Sequence, residues 1–125
     1  MIIIDTVNIE PLLKAIKKFE LFRQNLNTEQ EQAGAIQAFE YCFELSWKIM
    51  KRLLEVRGKV ANSPKETYRM AALEGFIGDP ELWFDFLKKR NMTVHTYEEK
   101  EALEVISVFP NFSRELQAFL KNIGV

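Results

Sequence analysis

An all-α fold, an up-and-down bundle of four main helices with short additional helices, is what this sequence predicts. Three observations carry that prediction. A long stretch from Glu29 to Arg57 keeps an unbroken helical pattern, proline or glycine marks the ends of the remaining apolar stretches, and no strand stands out.

Element by element, Asn8 supplies a capping side chain and Pro11 stands in the first turn, where its missing N–H is not needed. Leu12, Leu13, Ile16, Phe19 and Leu26 then recur at helical spacing, so a first helix is predicted to end near Asn27. The stretch from Glu29 to Arg57 is the predicted central helix, and Gly58 is its natural stop. Ser63, Pro64 and Glu66 form a capping box opening a short third helix that runs to Gly75. Asp79 and Pro80 repeat that chemistry before Leu82, Trp83, Phe86 and Leu87, so a fourth helix is predicted toward Arg90. Thr96 with Glu99 offers another capping box, which makes Arg90 to Thr96 a kink or junction. Pro110 marks a further kink or start before Phe112, Leu116, Phe119 and Leu120. Ile2 to Ile4 is either extended or a staple on the first helix.

The 125 residues suit one domain, 1–125, with a single core. Seventeen Lys and Arg against 18 Asp and Glu give no global field toward nucleic acid or an anionic membrane, so any RNA contact is local and no DNA partner is expected. A lone cysteine, Cys42, inside an apolar helical stretch excludes an internal disulfide, reads as core, and fits a reducing, cytoplasmic setting. Met1 to Asp5 lacks a basic region and a long apolar core, so no signal peptide is expected, and no stretch reaches membrane-spanning length.

Where the chemistry resides is narrowed by what is missing. One histidine and one cysteine cannot assemble a zinc set, so no metal is expected. The glycines are scattered and open no phosphate loop, and Asp5, Asp79 and Asp85 stand too far apart for metal-dependent nucleotidyl transfer by this chain alone. No cofactor is expected.

What remains is the segment from Arg90 to Tyr97 and a polar stripe on the central helix. Arg90 brings a fixed cation with forked donors for phosphate, Asn91 a group able to orient a ring or phosphate, and His95 a side chain that titrates near neutrality. These are parts for metal-free phosphodiester cleavage, but an Arg and a His at a helix end also serve as capping and surface groups. Gln37, Glu40, Glu44, Lys48 and Lys51 step by three or four along one narrow stripe, with Trp47 beside it. Two readings stand: a solvated face with a Glu44–Lys48 ion pair, or a polar groove for a partner or ligand. Trp83, Phe84 and Phe86 exceed what one helix face hides, so an additional apolar contact is expected, and with the largely apolar central helix it predicts a two-fold homodimer.

Arg90, four residues, then His95, with polar Asn91 and with Tyr97 two beyond the histidine, resembles the motif of HEPN domains. Ile36 to Glu40, Trp47-Lys48, Ser63-Pro64, Gly75-Phe76-Ile77 and Leu82-Trp83 stand in the order seen in the nucleotidyltransferase substrate-binding protein family, and with the motif they span nearly the whole chain. The resemblance implies a HEPN-like bundle and a homodimer paired with a separately encoded minimal nucleotidyltransferase, with toxin and antitoxin roles in some pairs. It implies a substrate-binding or regulatory subunit whose cleft, built from Arg90, Asn91, His95 and the Gln37–Glu40–Glu44–Trp47–Lys48 stripe, takes a nucleotide, RNA or the partner. The alternatives are a metal-independent endoribonuclease toxin using Arg90 and His95 across a dimer, and a non-catalytic helical adaptor. It further implies that Tyr97 is the residue to which the partner attaches AMP.

Overall fold

A computed structural model describes residues 1–95 and 98–125, with His95 described by its backbone alone. Six α-helices follow a small hairpin: β1 (Ile3–Ile4), β2 (Val7–Asn8), α1 (Glu10–Phe22), α2 (Glu29–Val56), α3 (Pro64–Leu73), α4 (Pro80–Met92), α5 (Glu99–Ile106) and α6 (Phe109–Asn122), with a 3-10 turn, Thr93–His95, after α4. The all-α prediction holds. The Ile2–Ile4 region resolves as extended, pairing antiparallel with Ile3 opposite Asn8 and Ile4 opposite Val7. Asp5 and Thr6, at φ of 47° and 69°, make the two-residue turn, since a turn with both central residues at positive φ matches strand twist.

Local chemistry sets most boundaries. The Asn8 side chain accepts from the Glu10 N–H at 3.1 Å, and α1 stops at Phe22, short of the predicted Asn27. Thr28 and Glu31 form a full capping box on α2. Ser63 accepts from the Glu66 N–H at 3.1 Å, while the Glu66 carboxylate reaches back to the Asn62 N–H, also at 3.1 Å. Asp79 caps α4 through the Glu81 N–H at 2.9 Å. Of the expected Thr96–Glu99 box, Thr96 lies outside the described residues, and α5 opens at Glu99 behind Glu98 with no side-chain cap.

The core is an aromatic net. Phe19 meets Phe109 and Phe112 edge-on at 5.1 and 5.4 Å, Phe39 meets Phe112 at 4.9 Å, and Phe112 continues to Phe86 at 5.2 Å. Such edge-to-face pairs add roughly 0.5–1.5 kcal/mol each beyond area burial, so α1, α2, α4 and α6 are locked together. Trp83 and Phe86 lie wholly within this net. Phe84 alone turns outward, half-buried beneath Lys65 and Arg69 of α3, whose charged ends stand 5.9 and 5.0 Å from its ring centre. The additional contact expected for the Trp83–Phe86 segment is thus made within the chain, which removes that segment as an argument for a dimer. Cys42 is fully buried as expected, and burial pushes its thiol up to about 12. Among the described residues no helix is long and apolar enough to cross a membrane.

Candidate functional site

Helix α2 carries the stripe and α4 crosses it near Glu44. An open groove of about 600 Å³ lies there, lined by Gln37, Glu40, Glu44 and Arg90 together with Lys18, Phe22, Gly34 and Tyr41. Three of the five predicted stripe residues and the motif arginine therefore meet in one place. Glu44 is the hinge of the arrangement. Its Oε1 stands 3.0 Å from Arg90 Nε, and its Oε2 accepts from the Trp47 indole N–H at 3.2 Å. The Arg90 Nε–H is not aimed along a hydrogen bond, so the contact is an ion pair. Among the described residues the guanidinium's terminal N–H groups have no partner, and a fork of that kind matches two phosphate oxygens.

Two expectations are corrected here. The Glu44–Lys48 ion pair does not form, because both oxygens of Glu44 are committed to Arg90 and Trp47, and Lys48 stays exposed outside the groove. Trp47 is half-buried against the core and acts on the groove through Glu44, not by lining it. Asn91 is exposed, but it opens onto a different cleft, between α3 and α4, because a step of one residue turns the helix by about 100°. Arg90 and Asn91 therefore open onto different clefts. The His95 side chain, Thr96 and Tyr97 lie outside the described residues, and the backbone of His95 closes the 3-10 turn after α4.

Two further features escaped sequence reasoning. Lys89, only 9 % exposed, reaches Asp85 at 3.2 Å and Glu104 at 3.6 Å, tying α4 to α5 on either side of the motif. Its Asp85 partner four residues earlier was readable, but the choice between Lys88 and Lys89 as the inward lysine depends on where α5 packs. The second feature is the apolar wall of the groove, where Phe22 and Tyr41 stand exposed at 36 % and 59 %. Gly34 floors it, and a Cβ there would meet only the Phe22 ring at 3.7 Å, an ordinary contact. The fold itself therefore does not require glycine at that position. The depression continues past Lys18 and Tyr41 to Lys14 and the hairpin, and past Phe22 and Gly34 to Leu21 and Gln30.

The helical bundle, with Arg90 of the fourth helix held against Glu44 of the long central helix, has the all-α, HEPN-like fold that the sequence resemblance implies. Residues 7–124 match the family described as nucleotidyltransferase substrate binding protein like, and the chain belongs to that family. It is 36 % identical over 96 residues to a Haemophilus influenzae protein described as "Probable ribonuclease HepT", a match spanning 73 % of this chain and 66 % of that relative. A crystal structure from Thermus thermophilus superposes with a TM-score of 0.84 at 30 % identity, covering 91 % of this chain and 99 % of that one. A Haemophilus influenzae structure described as the fold of a substrate binding domain of a nucleotidyltransferase superposes with a TM-score of 0.81 at 30 % identity, covering 93 % and 98 %.

Proposed function

We propose that this chain is the substrate-binding and regulatory HEPN subunit of a two-component pair with a separately encoded minimal nucleotidyltransferase, and that its ligand is RNA. The observation that carries the reading is Arg90, held by Glu44 at the edge of an open groove with its forked N–H groups free among the described residues. A carboxylate that positions a guanidinium without occupying its fork leaves it ready for a phosphodiester. In toxin and antitoxin pairs the partner would act on Tyr97, transferring AMP from ATP to the phenolic oxygen with release of pyrophosphate. The added phosphate would carry negative charge to the site of Arg90 and oppose RNA. Incubation with the transferase encoded beside this chain, ATP and magnesium should add AMP mass to the Tyr97 peptide and none in Tyr97→Phe. No gain with a demonstrably active partner would contradict the regulatory reading.

Ribonuclease chemistry is the second reading, favoured by the relative described as a probable ribonuclease. Neutral His95 of one protomer would take the proton from the ribose 2′-hydroxyl as that oxygen attacks phosphorus. The partner's His95, protonated, would give a proton to the departing 5′-oxygen, leaving a 2′,3′-cyclic phosphate, while Arg90 offsets phosphorane charge. One histidine per chain requires a two-fold homodimer for these two roles. Exposed Phe22 and Tyr41, which line the groove with Arg90, and exposed Leu21 in the adjoining depression are the apolar surface that supports such a dimer.

A further inference from the structure

Asn91 raises a question that the Arg90 groove leaves open, since it belongs to the Arg90–His95 motif yet faces the other side of α4. It lies in an open cleft of about 730 Å³ between α3 and α4, together with Lys65, Phe84 and Lys88. Lys65 and Lys88 are exposed and form no ion pair among the described residues, and neither does Arg69 on the rim. Phe84 supports two of these cations on its ring, Lys65 at 5.9 Å and Arg69 at 5.0 Å, which fixes positive charge over the cleft by a cation–π contact. Two acids, Glu81 and Asp85, also line it. Asp85 is paired with buried Lys89 at 3.2 Å, which it shares with Glu104 at 3.6 Å, and Glu81 sits in the first turn of α4, roughly 15 Å along the axis from Asn91. The end of the cleft nearest the motif therefore carries the Lys88 ammonium, unpaired among the described residues, and the hydrogen-bonding amide of Asn91, with Lys65 and Arg69 held over Phe84 behind them.

We propose that the RNA engaged at the Arg90–His95 segment continues around the end of α4 into this cleft, where Lys65 and Lys88 hold backbone phosphates and Asn91 contacts the strand as it crosses. The inference rests on the RNA reading given above and extends the binding site to the opposite face of α4. Arg90 and Asn91 then serve the two sides of one strand, which accounts for neighbouring motif residues opening onto different clefts. Phosphate contacts release counterions, so each contributes about 0.7 to the slope of log affinity against log salt for single strands.

The test uses His95→Ala as the parent, so that a short fluorescein-labelled polyuridine is bound without cleavage, and follows anisotropy across a salt series. Adding Lys65→Gln and Lys88→Gln should weaken binding severalfold and flatten the slope by about 1.4, from two lost contacts. Lys17→Gln with Lys121→Gln, at exposed lysines outside the cleft, should leave the slope unchanged. An unchanged slope in the cleft variant, or an equal drop in the control, would overturn the inference while leaving the RNA reading intact. So would a cleft variant that keeps its RNA affinity but no longer co-purifies with the transferase, which would assign the cleft to the protein partner. Absence of RNA binding by both the His95→Ala chain and the unsubstituted chain would overturn the RNA reading and this inference together.

Discussion

Tyr68 illustrates how residue-level physics separates packing from function. Its hydroxyl and the Trp83 indole N–H are buried without a hydrogen-bond partner among the described residues, and burial, then the nearby Glu44 carboxylate, hold the phenol well above its usual range. An unpartnered buried hydroxyl contributes desolvation cost and no bond, so Tyr68→Phe should leave stability unchanged or raise it by up to about 1 kcal/mol in urea melts. A loss of about 2 kcal/mol or more would mean that the hydroxyl has a partner worth keeping, such as an enclosed water. Arg90 and Glu44, by contrast, are each 31 % exposed at the side chain. At that exposure their pair is worth little to stability, and its consequence is the placement of a cation. Arg90 and the Gln37–Glu40–Glu44 part of the stripe were legible in the sequence, because polar residues three and four apart share a helix face whatever covers the others. That Glu44 would choose Arg90 over Lys48 was not legible, since the choice is made by the crossing of α4, a long-range event.

At the scale of elements, α2 is the organiser. Its start, its stop at Gly58 and the caps of α3 and α4 follow from local side-chain and backbone chemistry, which is why those boundaries could be read from neighbouring residues. The exceptions are informative. Helix α1 ends at Phe22 with Arg23 as its C-cap, and no residue between Arg23 and Asn27 signals that stop by glycine or proline. Gly34 costs α2 roughly 1 kcal/mol relative to alanine, although a methyl group would fit beside Phe22. Gly34→Ala should therefore raise the midpoint of thermal unfolding by about 4 °C, with the methyl group narrowing the groove. A fall in the midpoint would contradict the open-floor description of the groove.

The whole molecule brings together a rigid aromatic core, a groove holding Arg90 and a second cleft holding Asn91, with α4 as the wall between them. The bundle was foreseeable from caps and apolar spacing, but this division of the motif was not, because it depends on the rotation of α4 against both α2 and α3. Segregation of Trp83 and Phe86 into the core also moves the apolar surface available to a partner from α4 to the α1–α2 face. The central proposal, that RNA is engaged at the Arg90–His95 segment, is tested most directly in its ribonuclease reading, by single-turnover assays on a labelled single-stranded RNA in excess EDTA. That reading predicts cleavage that EDTA leaves intact, ending in a 2′,3′-cyclic phosphate, and its loss by a factor on the order of 10²–10⁴ in folded His95→Ala and Arg90→Ala. Cleavage at the unsubstituted rate by purified His95→Ala, or cleavage abolished by EDTA in the unsubstituted chain, would contradict it.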